Sequence, residues 1–463
     1  MSIAPCWLAA LSLGATLAAG ASVPPHIEIL PAAVLEGDRV SIVAKGLHAG
    51  DVATLHVQSV GSDGKRTFYG EATFKADRAG EIDLATADAL DGYYRSIDQR
   101  GLFWSQRLLA DDIAGQARIA ALHLDASSSL AADQQVLTLE RRGSLLDRKV
   151  LTLLTRDADV VHEDVNTPAL VGVLYHKKSA VKRPLVIVLG GAEGGRRFAD
   201  LIGPALASRG YAVFGLIYFA PPGEAIRNVP TALHRIPVEL LGTARQCLAA
   251  RPEVNIDRLA LVGASKGGEL ALLLASTYDW VNAVVAFVPS DVVWQGFAYG
   301  ASESTMGSSW TREGRDVPFL PQTGQREEIV RGRQPGAAPI ELARISKANM
   351  AAATPLQIAA ATIPLERSHA ALLLIGGGDD RTGDSGASVA RAALRLKDAA
   401  YRHPFEALIY PTAGHGIVGT GWRPTTLHNA GVFNDGGTAE ADAHAQADSW
   451  TKAIDFLRRE LRP

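Results

Sequence analysis

The chain has 463 residues, 47% of them hydrophobic and 21% charged, with a formal net charge of -3. That length exceeds one ordinary hydrophobic core, so two domains are expected. The near-neutral balance excludes long-range attraction to nucleic acid or to an anionic membrane. Only Cys6 and Cys247 are present, too few for a disulfide framework or a cysteine-based metal cluster.

Residues 1–25 carry no charged side chain, residues 7–19 are apolar or small, and Ala19-Gly20-Ala21 has the A-x-A form of a signal cleavage site. Residues 1–21 are therefore expected to be a cleaved export signal, which would place the protein in the periplasm or outside the cell. Without cleavage it would stay cytoplasmic. Removal of this segment leaves Cys247 without a partner. In a helix predicted over 238–250, Cys247 reads as a small buried apolar side chain. No later stretch reaches the length of a membrane span.

Residues 22–158 read as an antiparallel β-sandwich domain. Short alternating runs at 40–44, 53–58 and 67–69 are punctuated by Gly37-Asp38, Gly50-Asp51 and Gly61-Ser62-Asp63-Gly64. Two more strands are predicted at 117–124 and 149–155. Residues 159–463 read as an α/β domain. Apolar strands are predicted at 184–189, 211–218, 259–262, 281–288, 371–375 and 405–410, with helices or long segments between them. Such strands imply a mostly parallel sheet covered on both faces. Between 290 and 363 the periodicity fades, and this stretch is expected to cross the top of the sheet.

Gly263-Ala264-Ser265-Lys266-Gly267 is a G-x-S-x-G between a predicted strand and a predicted helix. That context makes a nucleophile elbow, a sharp turn that lifts the serine above the sheet. A serine hydroxyl needs a general base, and the base needs an orienting carboxylate. Both follow in the required order. Asp379 and Asp380 come after the strand at 371–375, and His415 comes after the strand at 405–410, between Gly414 and Gly416. Asp380 is preferred as the orienting group because it fits a turn beginning at Gly377. The competing reading makes one aspartate a helix cap, a task for which Asp384 also competes. The oxyanion is expected to meet the Lys266 N–H and the N–H groups of the Gly191, Ala192 and Glu193 turn. No dinucleotide or phosphate-loop spacing is present, and no metal or other cofactor is expected.

The segment 263–270 resembles the nucleophile region of the acyl-CoA thioesterase / bile acid-CoA:amino acid N-acyltransferase family. So do Ala250-Arg251-Pro252-Glu253-Val254, Gly92-Tyr93-Tyr94, Gly101-Leu102-Phe103-Trp104-Ser105, Gly377-Gly378-Asp379-Asp380 and Ala413-Gly414-His415. The resemblance implies a sandwich domain packed on an α/β-hydrolase domain. It also implies hydrolysis of acyl-CoA thioesters or acyl transfer to glycine or taurine. The family's transferases use cysteine as nucleophile, so serine at 265 favours water as the acceptor. The expected function is a serine acyl hydrolase acting on acyl-CoA-type thioesters through an acyl-enzyme. An exported carboxylester or amide hydrolase, or an N-acyltransferase, is the alternative. The expected partner is a small acyl thioester or ester, not nucleic acid or membrane; oligomeric state is left open.

Overall fold

The computed structural model describes residues 23–61, 63–124, 130–179, 181–298, 300–427 and 431–463. The export signal expected over 1–21 lies outside them. Among the described residues, no helix is long and apolar enough to cross a membrane.

An eight-stranded sheet organises everything after residue 159. Its order is Val160–Asn166, Val171–Lys177, Ala212–Leu216, Arg183–Leu189, Val254–Ala264, Ala283–Phe287, Ala371–Gly377, Phe405–Tyr410. The first two strands join it antiparallel. The other six run parallel. Alternation along each strand supplies two apolar faces. Leu185, Ile187, Leu259, Leu261, Leu372 and Leu374 pack with helices Leu240–Leu248, Lys266–Thr277 and Ser385–Asp398. Val186, Val188, Ala260, Val262, Leu373 and Ile375 pack with helices Arg197–Ser208 and Ala439–Leu461. Covering both faces explains why residues 185–189, 259–262 and 371–375 of the central strands are apolar at every position.

Residues before 155 form two further main sheets and a two-stranded ribbon, Asp88–Ala89 with Ser96–Ile97. The smaller main sheet joins His26–Leu30, Ser41–Lys45 and Ile82–Asp83. The larger runs Arg107–Leu108, Thr67–Lys75, Val52–Val60, Gln134–Arg141, Ser144–Leu154, Ala33–Leu35. Ile27, Ile42, Leu55, Phe74, Leu137 and Leu151 fill the core shared by the two sheets. Trp422 and Ala443, from beyond the hydrolase sheet, belong to the same core.

Three local expectations need correction. The strand expected at 117–124 is instead a helix, Ile113–Leu122, whose N-cap Asp112 accepts the Gly115 N–H at 3.0 Å. Its alanine-rich sequence favours helix over strand. Cys247 is exposed, not buried, because its helix turns only Leu241, Ala244 and Leu248 inward. Finally, residues 290–363 are more ordered than the faded periodicity suggests. They form strands Trp310–Arg312 and Arg315–Asp316 and helices Gln325–Gly332, Leu342–Ala352 and Pro355–Ala361.

Candidate active site

Strand Val254–Ala264 ends directly at Ser265, and helix Lys266–Thr277 begins one residue later. Ser265 has φ 55° and ψ -119°, a conformation that L-residues rarely adopt. Such strain persists only where the surroundings impose it, and here the flanking glycines permit it. A Cβ on Gly267 would stand 2.1 Å from the Leu189 carbonyl oxygen. The helix can therefore approach the neighbouring strand only because position 267 has no side chain.

His415 lies in the loop after strand Phe405–Tyr410, and Asp380 in the loop after Ala371–Gly377. His415 Nδ1 and Asp380 Oδ2 are 2.8 Å apart. Asp380 is buried and also accepts hydrogen bonds from the N–H groups of Thr382 at 2.9 Å and Gly383 at 2.8 Å, and from the Ser385 hydroxyl at 2.5 Å. Burial pushes its carboxyl up, but His415 and these donors outweigh burial and hold it at about 2. Burial also pushes His415 down. The Asp380 charge and hydrogen bond, with Asp435 and Glu193 farther out, outweigh it and leave His415 above the usual histidine value.

Asp379 points elsewhere, pairing with Arg381 at 3.1 Å and accepting the Gly437 N–H at 3.0 Å. Asp384 is the N-cap of helix Ser385–Asp398 but makes no side-chain capping bond, while Asp380 reaches the Ser385 N–H at 3.3 Å. Asp380 thus serves the helix end and the imidazole together. Among the described residues, neither Ser265 Oγ nor His415 Nε2 has a hydrogen-bond partner. Catalytic hydrogen bonds of this kind commonly tighten only when substrate is bound.

The glycine turn after strand Arg183–Leu189 lies against the elbow. A Cβ on Gly191 would stand 3.2 Å from Ser265 Cβ and 2.6 Å from Glu193 Oε2. The Gly191 N–H is not free: it donates to Glu193 Oε1 at 3.0 Å. The N–H groups of Ala192 and Glu193 have no partner among the described residues. Lys266 is the first residue of its helix, so its N–H has no intrahelical acceptor.

One group of metal-ligating side chains stands out among the described residues: Glu163, His176 and Glu253, with ligand atoms within 4.8 Å of one another. Arg251 already pairs with Glu253 at 2.9 Å and with Glu163 at 2.5 Å, so both carboxylates already share a cation. Glu253 also precedes the strand that Ser265 follows, which puts the cluster at the opposite end of the sheet. A groove of about 1010 Å³ between the sandwich and the last helix is lined by Arg39, Arg100, Arg209, Trp450 and Arg458. It contains none of the candidate catalytic residues.

The strand order, with a strained serine at a central strand end and an Asp–His pair at two later ones, defines an α/β-hydrolase. A family model for the BAAT / acyl-CoA thioester hydrolase C terminal matches residues 236–463. One for the acyl-CoA thioester hydrolase/BAAT N-terminal region matches residues 37–152. The chain belongs to this family and is an enzyme. A dienelactone hydrolase family model also matches residues 170–296. Acyl-coenzyme A thioesterase 1 of Homo sapiens is 26% identical over 429 residues, covering 91% of this chain and 93% of its own. Acyl-coenzyme A amino acid N-acyltransferase 1 of Mus musculus is 27% identical over 446 residues, covering 93% and 96%. The crystal structure of a dienelactone hydrolase-like promiscuous phosphotriesterase from metagenomic libraries covers 65% of this chain and 99% of its own, at 15% identity and a TM-score of 0.40.

Proposed function

We propose that the protein is a serine hydrolase of acyl-CoA-type thioesters working through Ser265, His415 and Asp380. The observation that carries this reading is the His415–Asp380 bond of 2.8 Å, on loops at the sheet end where a serine is held at φ 55°. Ser265 Oγ attacks the thioester carbonyl while His415 Nε2 takes its proton. The oxyanion is met by the N–H of Lys266 and by those of the Gly191, Ala192 and Glu193 turn, where Gly191 first has to release Glu193. Collapse expels the thiol, which takes the proton from His415, and leaves an acyl-enzyme. His415 then deprotonates water, which attacks the acyl-enzyme and regenerates Ser265. Asp380 holds the imidazole tautomer throughout and offsets its positive charge.

Serine rather than cysteine at 265 favours water over an amine as acceptor. The test is a fluorophosphonate label located by mass spectrometry, together with turnover of a panel of acyl-CoA chain lengths. A label on any residue other than Ser265 would sink the reading. The uncharged apolar start and Ala19-Gly20-Ala21 favour a second reading, an exported carboxylester or amide hydrolase. A mature N-terminus at Ser22 with p-nitrophenyl esters turned over far better than acyl-CoA would select it.

A further inference from the structure

Lys266 follows the nucleophile, yet its side chain turns into the protein. Its Nζ lies 2.7 Å from Glu269 Oε1 and 5.4 Å from the centre of the Trp310 ring. Glu269 is fully buried. Burial pushes Glu269 up and Lys266 down, each against the attraction of the other. A buried ion pair is a poor source of stability, because desolvating both charges offsets most of their attraction. Its presence one residue from the nucleophile asks for another explanation.

Glu269 is a junction. Its Oε1 also accepts the Trp310 Nε1–H at 2.7 Å and the Trp294 N–H at 3.4 Å. Both tryptophans belong to the segment after residue 290 that crosses the sheet. Trp310 is itself fully buried and anchored in a strand paired with Ile236–Pro237. On its other side Trp310 meets the Tyr218 ring edge-on, with centroids 5.7 Å apart. The Tyr218 hydroxyl donates to the Gly190 carbonyl, in the turn that holds the second set of oxyanion donors. One tryptophan therefore touches the supports of both arms of the oxyanion hole.

We propose that Lys266, Glu269, Trp310 and Tyr218 form a buried brace that positions the two N–H arms of the oxyanion hole and ties them to the segment covering the site. The Lys266 arm is held through its own side chain, and the Gly190–Gly191 arm through Tyr218. These are positioning residues, and the inference rests on the Ser265 reading above.

The test uses the full chain, with acyl-CoA turnover and thermal unfolding measured on each variant. Lys266→Met and Glu269→Gln each strand one buried charge, so each should lower Tm. The double variant keeps similar volume with neither charge, and its Tm should return towards wild type. Its kcat should stay about tenfold to a hundredfold down with KM within about twofold, since small misplacement of an oxyanion donor costs that much. Recovery of kcat along with Tm would make the pair purely structural and overturn the brace. Tyr218→Phe keeps the ring and Trp310→Phe keeps a smaller aromatic one, and each removes one donor, so they test the same point without a stranded charge. Each should lower kcat several-fold with KM unchanged; wild-type kcat in both would also overturn it. An active Ser265→Ala would remove the underlying reading instead. An inactive Ser265→Ala beside unaffected brace variants would remove the brace alone.

Discussion

Two histidines in this protein touch a carboxylate at the same distance. His415 Nδ1 lies 2.8 Å from Asp380, and His444 Nε2 lies 2.8 Å from Asp98. Both are held above the usual histidine value. For His415 the carboxylate outweighs burial, and for His444 the hydrogen bond to Asp98 leads. Their settings differ. His415 is on a loop at the same end of the sheet as the serine elbow, with its side chain 15% exposed and Asp380 fully buried. His444 is on the last helix with its side chain 54% exposed, and its partner Asp98 also accepts the Trp104 indole N–H at 2.7 Å. The second pair fastens a helix to the sandwich. Bond length alone therefore does not mark a candidate catalytic pair; what singles out His415 is its place after a strand that runs parallel to the one ending at Ser265.

The largest effect should come from Ser265→Ala, which removes the proposed nucleophile. Activity should fall by about 10⁴-fold or more while far-UV circular dichroism stays unchanged. Asp380→Asn should cost about 10³–10⁴-fold, by analogy with the serine-protease triad. Its pH profile carries a second readout. His415 must be neutral to act as base, and its value is raised, so the acid limb of wild-type kcat/KM should lie above the ordinary histidine value of about 6.5. Losing the Asp380 charge should move that limb to lower pH. An unmoved limb would mean that another group sets it.

Glu193 should matter less. Glu193→Gln keeps an acceptor for the Gly191 N–H and removes the charge, so the acid limb should fall slightly with the plateau within about threefold. Glu193→Ala also frees the Gly191 N–H, so its plateau should not fall below that of Glu193→Gln. The smallest effect belongs to Asp98→Asn, with kcat within about twofold of wild type and a loss of roughly 1 kcal/mol or less, as for other partly exposed pairs. That loss has a defined pH window. Asp98 is lowered, so its contribution is present above the unfolded aspartate value of about 3.9 and disappears as pH falls through the lower folded value. His444 is raised, so its contribution is complete below about 6.5 and disappears as pH rises through the folded value. A stability gap that persists unchanged at high pH would contradict this assignment.

The hydrolase sheet was legible because each central strand is buried on both faces and reads as an unbroken apolar run. Ser265 was legible because strand, glycines and helix former coincide within a dozen residues. Other parts were hidden for physical reasons. Strand Gln134–Arg141 lies in the middle of the larger sandwich sheet, yet it buries Gln135, Thr138 and Glu140. A polar network containing Gln106 and Gln135, joined at 3.0 Å, takes the place of apolar alternation. Helix Ala439–Leu461 carries its buried residues among many charged ones, which masked a 23-residue element. Asp379 and Asp380 are adjacent and chemically identical, and only the fold shows that Asp379 turns to Arg381. The Lys266–Glu269 pair had a visible signal, the i,i+3 spacing, but nothing in the sequence located Trp310 over it.

Trp422 gives the two halves of the molecule a shared fate. It lies seven residues after His415, is 1% exposed, and its ring meets Phe103 inside the sandwich at 4.9 Å. Nearby, Thr425 N–H reaches the Trp104 carbonyl at 3.1 Å. The loop that carries His415 is thus moored in a core built from the other end of the chain. Neither part is a portable module: a hydrolase half cut free would turn that tryptophan outward and slacken the His415 loop, and a sandwich half cut free would be left with a hole.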